Sequence, residues 1–240
     1  MKVLITGATS FIGYNLAEYI ISQGDEVYAF IRPTSKNKDK IINSPNYHKI
    51  ELDVATLTGE EVLDIDSIDL CIHLAWDGVG AKGRMDSAIQ ESNINASLNL
   101  AKLVKKYNCK RFIFAGSQAE YGVTNEIMEE ILLPQPVTPY GAAKVAALHL
   151  TRLRAQQLGI DWVWGRVFSV YGDYEPETTL LSYLARTLRS GQMPQMTAGT
   201  QLWDYLHAED AAAAMTALLL RGRAGEVYNI AHGDVRPLRS

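Results

Sequence analysis

Apolar and polar positions along the chain fall into two alternating textures. Short runs that are apolar on both faces occur at KVLIT (2–6), EVYAFI (26–31), KIELD (49–53), DLCIHLA (69–75), RFIFAG (111–116) and DWVWGRVFSV (161–170). Between most of them the apolar positions recur at helical spacing, as over Ile12–Gln23, Asp86–Tyr107 and Tyr140–Leu158. Strands with no polar face belong in a parallel sheet covered by helices on both sides. Strand–helix–strand repetition of this kind predicts a doubly wound parallel α/β sheet with right-handed crossovers. Helix punctuation agrees. Gly24 and Gly159 stand where a left-handed residue ends a helix. Thr138-Pro139 reads as a cap followed by a first-turn proline, which starts a helix at Tyr140 or one residue earlier.

After Tyr171 the texture changes. EPETTL leads to a helix Leu180–Ser190, a turn GQMP, a short strand, a helix Ala208–Leu220 and a strand EVYNIA. The expected division is a Rossmann-like sheet domain over 1–170 and a smaller lobe over 171–240, partly interleaved with the sheet at its carboxyl edge. No internal repeat stands out, and the chain stops abruptly at RPLRS.

Composition narrows the class. With 47% hydrophobic and 21% charged residues, disordered, collagen-like and coiled-coil architectures are excluded. A net charge of −4 supplies no long-range field toward nucleic acid or anionic membrane, so neither is an expected partner. Cys71 and Cys109 are too few for a disulfide scaffold or a Cys-rich metal site, and both read as packing residues of a protein in a reducing cytosol. The apolar start MKVLIT breaks at Gly7, too soon for a signal peptide. AAAAMTALLL (211–220) falls short of the roughly 18 residues of a membrane span. These features predict a soluble cytoplasmic protein.

TGATSFIG (6–13) directly follows the first strand and opens the first helix. Small residues there let backbone N–H groups and the helix N-terminus approach a pyrophosphate. Gly7 makes the tight turn and Gly13 lets the helix pack on the strand, while Ser10 holds the middle position that is often glycine. Gly7, Thr9, Ser10, Phe11, Ile12 and Gly13 are therefore the expected cofactor contacts. The acidic residue that would bind the adenosine ribose at the end of the second strand is missing; Ile31-Arg32 stands there. Arginine pairs with a 2′-phosphate, with Ser35 and Lys36 nearby, so the reading leans to NADP over NAD. Asp53-Val54, ending the third strand, is placed to flank an adenine ring, with Asp53 accepting from its amino group.

Tyr140 and Lys144, four residues apart, share one face of one helix. A phenol titrating near pH 10 is a poor base at neutrality. The lysine ammonium beside it and the helix N-terminus are expected to lower it. Ser117, just past RFIFAG, adds a hydroxyl to the same substrate oxygen. Together the three make a proton relay for an alcohol/ketone pair beside a nicotinamide.

At this point the chain resembles the extended short-chain dehydrogenases/reductases, the NAD-dependent epimerase/dehydratase family acting on nucleotide sugars. The carriers are TGATSFIG, the DV at 53–54, CIHLAW (71–76), the asparagine in ESNINASLNL, AGSQAEYG (115–122), PYGAAK (139–144), GRVFSVYG (165–172) and WDYLHAEDAA (203–212). The resemblance implies Tyr140 as acid/base, Lys144 as ribose binder and pKa modulator, and Ser117 as partner of the substrate oxygen. It also implies Leu74 and Ala75 lining the cofactor cleft, Asn93 bracing the active-site backbone, and a homodimer built from the helices 86–107 and 140–158. Apolar residues there (Ile94, Leu98, Ala146, Leu150) serve either that contact or the sheet.

Departures from the pattern bear on the reaction. The family's 4,6-dehydratases carry an Asp-Glu pair after the Ser/Thr; here Gln118 and Ala119 stand there, and strand alternation turns Glu120 away. Elimination of water lacks its proton donor and acceptor, so dehydration is disfavoured. Ser169 replaces a substrate-binding Asn, and Trp203 replaces the Arg that commonly clamps the diphosphate; Arg84, Arg166 or Lys82 would have to substitute. Gln118, Ser169 and Trp203 are the candidate substrate contacts. His73 reads as a hydrogen-bonded core histidine and His207 as a capping residue, and no cluster has metal-ligand spacing. The leading expectation is an NAD(P)-dependent epimerase or keto-reductase of a nucleotide-activated sugar. The alternatives are a non-catalytic dinucleotide-binding regulatory protein and a reductase of a small non-nucleotide carbonyl.

Overall fold

The computed structural model describes residues 1–124 and 126–239. The strands are β1 (Lys2–Thr6), β2 (Glu26–Ile31), β3 (Tyr47–Glu51), β4 (Leu70–His73), β5 (Arg111–Ser117), β6 (Asp161–Val167), β7 (Ser169–Tyr171), β8 (Leu202–Trp203), β9 (Tyr205–His207), β10 (Val227–Ile230) and β11 (Arg236–Pro237). The helices are α1 (Phe11–Ser22), α2 (Ser87–Lys106), α3 (Pro139–Leu158), α4 (Leu180–Arg189) and α5 (Ala208–Arg221). Short 3₁₀ turns lie at Val54–Thr56, Gly83–Met85 and Gln118–Glu120.

Seven strands form one sheet in the order β10-β6-β5-β4-β1-β2-β3, and every pairing within it is parallel. The expected doubly wound, Rossmann-like α/β sheet is what the chain builds. The apolar character of both strand faces has a direct cause. Leu4, Phe30, Cys71, Phe112, Phe114, Trp162 and Trp164 feed a core under α2 and α3. Their neighbours Val3, Ile5, Ile31, Ile72, Ile113 and Val163 feed a second core under α1 and α5. Alternate residues of one strand thus face different helical layers. Cys71 and Cys109 both lie in the first core. Burial pushes the Cys109 thiol up to about 12 and raises that of Cys71 well above its usual value.

Helix boundaries fall within one residue of expectation. Thr138 caps α3 by accepting from the Gly141 amide at 3.1 Å, with Pro139 in the first turn. Gly24 and Gly159 both have positive φ. Two strand readings need correction. KIELD is shifted: β3 runs Tyr47–Glu51, lies at the sheet edge and is only partly buried, so its apolar pattern is weak. DWVWGRVFSV is two strands. The Phe168 amide still donates to Ile230 O in the main sheet, and from Ser169 the chain pairs instead with Tyr205–His207 in a small parallel sheet.

In the region 171–239, α5 packs against α1 and β10 joins β6, so residues 208–230 complete the main sheet. The β7/β9 sheet, α4 and the antiparallel β8/β11 pair stand outside it. Among the described residues, no helix is long and apolar enough to cross a membrane. Nor do three His, Cys, Asp or Glu side chains gather there to hold a metal.

Candidate active site

Strand order places the site. β1 lies between β4 and β2, and the chain winds in opposite directions on either side of it, leaving a crevice at the carboxyl ends of β1 and β4. The turn from Gly7 to Gly13 lies at that point. A Cβ on Gly13 would sit 2.1 Å from the Gly7 carbonyl oxygen, and one on Gly7 2.9 Å from the Ala75 amide nitrogen. Only hydrogen at both positions lets α1, β1 and the segment after β4 meet this closely. Ser10 caps α1 through the Gly13 amide at 3.1 Å. Among the described residues the amides of Phe11 and Ile12 have no intrachain partner, which leaves the first-turn donors for an anion. Thr9 is buried, and its carbonyl accepts from Asn37 Nδ2. These residues fit the diphosphate of a dinucleotide.

The end of β4 is fixed by a buried hydrogen-bond relay. His73 Nδ1 bonds Thr6 Oγ1 at 2.7 Å and Nε2 bonds Ser97 Oγ at 2.9 Å. Burial, with the nearby Lys144 charge, lowers the imidazole to about 3, so His73 is a neutral core group. Thr6 also accepts from the Ala75 amide through its hydroxyl and from the Leu74 amide through its carbonyl. Asn93 binds both the amide and the carbonyl of Asp77, at 2.9 and 3.0 Å.

Ser117 ends β5, and its hydroxyl acts on the Tyr140 phenol, lowering it. Lys144, one turn along α3, is buried and donates to the Ala115 carbonyl at 2.7 Å. Its ammonium lies 3.6 Å from the centroid of the Trp76 indole and 5.8 Å from that of the Tyr140 ring. The sequence-based expectation of a lowered tyrosine does not hold in this structure. Burial raises the Tyr140 phenol, and the Ser117 hydrogen bond and the Arg84 charge only partly offset it. Burial lowers Lys144 to about 7, against the opposing pull of the Glu120 carboxylate. The lysine is bonded to the Ala115 carbonyl and lies over the indole face.

Glu120 also departs from expectation. The strand has ended, and Ser117 and Glu120 form a capping box around a 3₁₀ turn. Glu120 Oε1 accepts from the Ser117 amide at 2.8 Å and the Trp164 indole at 3.0 Å, and Oε2 pairs with Arg166 Nε at 2.7 Å. Arg166 Nη1 donates to the Tyr121 hydroxyl, which donates to Asn229 Oδ1. Buried and held through Nε and Nη1 by Glu120, Tyr121 and Glu130, Arg166 is committed within the fold. The Ser-x-x-Glu spacing was the visible signal for this box.

Arg84 is the basic residue that reaches the site. Its guanidinium carbon stands 4.6 Å from the centroid of the Tyr140 ring, and its Nε donates to the Val79 carbonyl at 2.8 Å. The Trp76 ring meets Tyr140 edge-on at 6.3 Å. Sequence reading left Arg84 unplaced, because it acts across the loop rather than along it.

The remaining candidates are more dispersed. Arg32, the first residue past β2, is exposed and pairs with Asp77 at 3.7 Å. β3 ends at Glu51, so Asp53 lies past the strand and caps the turn at Val54 by accepting from the Ala55 amide. Val54 packs in the core under α2 and α3. Gln118 opens the 3₁₀ turn beside Ser117. Ser169 belongs to β7 and Trp203 to the exposed β8, where its ring neighbours Tyr205. His207 caps α5 through the Glu209 amide.

Known proteins share this architecture. The dTDP-glucose 4,6-dehydratase of Salmonella typhimurium is 27% identical over 260 residues, 96% of this chain and 72% of that protein. A UDP-glucose 4-epimerase of Thermotoga maritima, solved with UDP-glucose, superposes with a TM-score of 0.87 at 25% identity, covering 100% of this chain and 79% of the other. The UDP-glucuronic acid 4-epimerase of Bacillus cereus, solved with NAD, gives 0.83 at 25% identity, covering 100% and 80%. A sequence profile matches residues 3–231, nearly all of the chain that carries the turn, the Ser-Tyr-Lys residues and the sheet beneath them, and the chain thereby belongs to the NAD dependent epimerase/dehydratase family.

Proposed function

We propose that this protein is an NAD(P)-dependent enzyme that oxidises or reduces a carbinol or ketone of a nucleotide-activated sugar, as an epimerase or a keto-reductase. The observation that carries this reading is the convergence of Ser117, Tyr140 and Lys144 beside the Gly7–Gly13 turn. When bound, the nicotinamide supplies the hydride acceptor and donor. Tyr140 takes the hydroxyl proton as the carbon is oxidised and returns it on reduction, while Ser117 holds the same oxygen. Lys144, buried one turn along α3 from Tyr140, would hold the cofactor ribose.

Dehydration is the less favoured reaction. Elimination needs an acid and a base beside Ser117, and Gln118 and Ala119 supply neither. Glu120, the nearest carboxylate in sequence, is committed to Arg166. Arg32 favours NADP, whereas the Bacillus cereus relative was solved with NAD; titration of both decides the cofactor. Exposed Leu150 and Leu153 on α3 support a homodimer through α2 and α3, which light scattering tests. The two free buried thiols suit the cytosol.

Thermal-shift titration with NAD and NADP, alone and with UDP-, dTDP-, CDP- and GDP-sugars, is the first test. Stabilisation by a dinucleotide with one sugar class, then turnover of that sugar lost in Tyr140→Phe with cofactor binding retained, supports the proposal. Dinucleotide binding without turnover of any sugar overturns it in favour of a regulatory protein.

A further inference from the structure

Resting on the assignment of Tyr140 above, we propose that Arg84 is a positioning residue for Tyr140: its guanidinium, delivered by the loop between β4 and α2, fixes the phenol ring and adds a second positive charge beside it to that of Lys144. The Lys144 ammonium is bound to Ala115 and covered by the Trp76 indole. Arg84 stands closer to the ring, 4.6 Å against 5.8 Å.

The loop is built to hold that arginine. The Arg84 amide donates to the Gly80 carbonyl at 2.9 Å, and Nε is anchored on Val79. Gln90, 1% exposed, ties the loop together from α2. Its amide group donates to the Gly78 and Gly83 carbonyls at 3.3 and 2.9 Å and its oxygen accepts from the Trp76 indole at 2.8 Å. A Cβ on Gly83 would lie 2.4 Å from Gly78 Cα, so the two limbs of the loop touch. One side chain thus sets both the residue that covers Lys144 and the residue that flanks Tyr140.

The groups around the phenol are few. Ser117 favours its ionisation from the end of β5, Glu120 opposes it from the 3₁₀ turn, Lys144 lies on α3 itself, and Arg84 favours it from the loop. Arg84 is the cation of this set with terminal nitrogens not tied to a protein acceptor among the described residues. A fixed cation near a phenol favours the phenolate at any moment of the reaction in which the proton has left.

The test is a phenolate absorbance titration of Arg84→Gln and Arg84→Lys, with Tyr140→Phe and the Arg84→Gln/Tyr140→Phe double variant as blanks. The Tyr140 midpoint is expected to rise by about one pH unit in Arg84→Gln and by less in Arg84→Lys, which keeps the charge. In the pH profile of turnover of the stabilising sugar, the limb belonging to Tyr140 moves up by the same amount. A midpoint unchanged in Arg84→Gln, or a loss of turnover equal at every pH, overturns the proposal. The titration needs no substrate, so its failure is separable from failure of the enzymatic reading, which retained turnover in Tyr140→Phe alone would reveal.

Discussion

The Lys144 ammonium lies 3.6 Å from the centre of the Trp76 indole, over its ring face. A cation held there is stabilised by the ring quadrupole while the surrounding apolar wall denies it water. The two effects oppose each other, and burial dominates, leaving the lysine near pH 7 rather than its usual 10.5. The candidate active site therefore contains an amine whose charge is adjustable under physiological conditions.

That value makes stability depend on pH in a defined direction. Below about pH 7 the folded protein carries the full cost of charging Lys144. From there to about 10.5 the unfolded chain binds a proton that the folded one has released, so this residue's contribution to stability rises with pH. The melting temperature of the wild type, measured relative to Lys144→Met, is expected to climb by roughly 4 °C or more between pH 7 and pH 10. A flat difference would mean the lysine stays charged throughout.

Arg166 and Glu120 form a buried pair at 2.7 Å. Removing one member strands the other's charge. Arg166→Met is expected to cost about 3–5 kcal/mol in urea unfolding, and the double variant Glu120→Gln/Arg166→Met less than that. Additive losses would show that the two do not act as a unit.

At Gly13 a single methyl group collides with the Gly7 carbonyl and pushes α1 away from β1. Gly13→Ala is expected to weaken dinucleotide binding at least about tenfold, a loss of about 1.4 kcal/mol, measured by quenching of tryptophan fluorescence. Unchanged affinity would place the diphosphate elsewhere.

Arg32 is exposed, and Asp77 is its partner at 3.7 Å. Exposed pairs of this kind contribute under about 1 kcal/mol, so the side chain exchanges readily onto a phosphate. Arg32→Ala is expected to lower NADP affinity several-fold more than NAD affinity, with little change in melting temperature. Equal effects on both dinucleotides would assign the site to NAD.

The parts of this molecule that local spacing encodes were legible from the residues alone. The sheet strands show as apolar on both faces, and the helices are punctuated by Thr138-Pro139, Gly24 and Gly159. The turn Gly7–Gly13 and the pair Tyr140/Lys144 are short-range patterns as well. What escaped reading depends on partners distant in sequence. Nothing local marks Phe168 as the residue where the chain exchanges β10 for β9 as neighbour, and β3 is blurred because an edge strand need not be apolar. The contacts of Arg84 with Tyr140 and of Glu120 with Arg166 bridge separate elements. Lys144 illustrates the limit: its spacing from Tyr140 was visible, but the burial and the indole that surround its ammonium were not.

The course of the chain between β6 and β10 carries a kinetic consequence. These strands are neighbours in the sheet, yet residues 168–226, with the whole β7–α5 stretch, lie between them. Closing a loop of about 60 residues costs entropy before any pairing returns it. During synthesis β1 through β6 can therefore assemble while one edge of β6 still lacks its partner, an edge prone to misassociation with other chains. Arrival of β10 seals it, so the last strand of the sheet acts as the step that commits a nascent chain to the monomer's own fold.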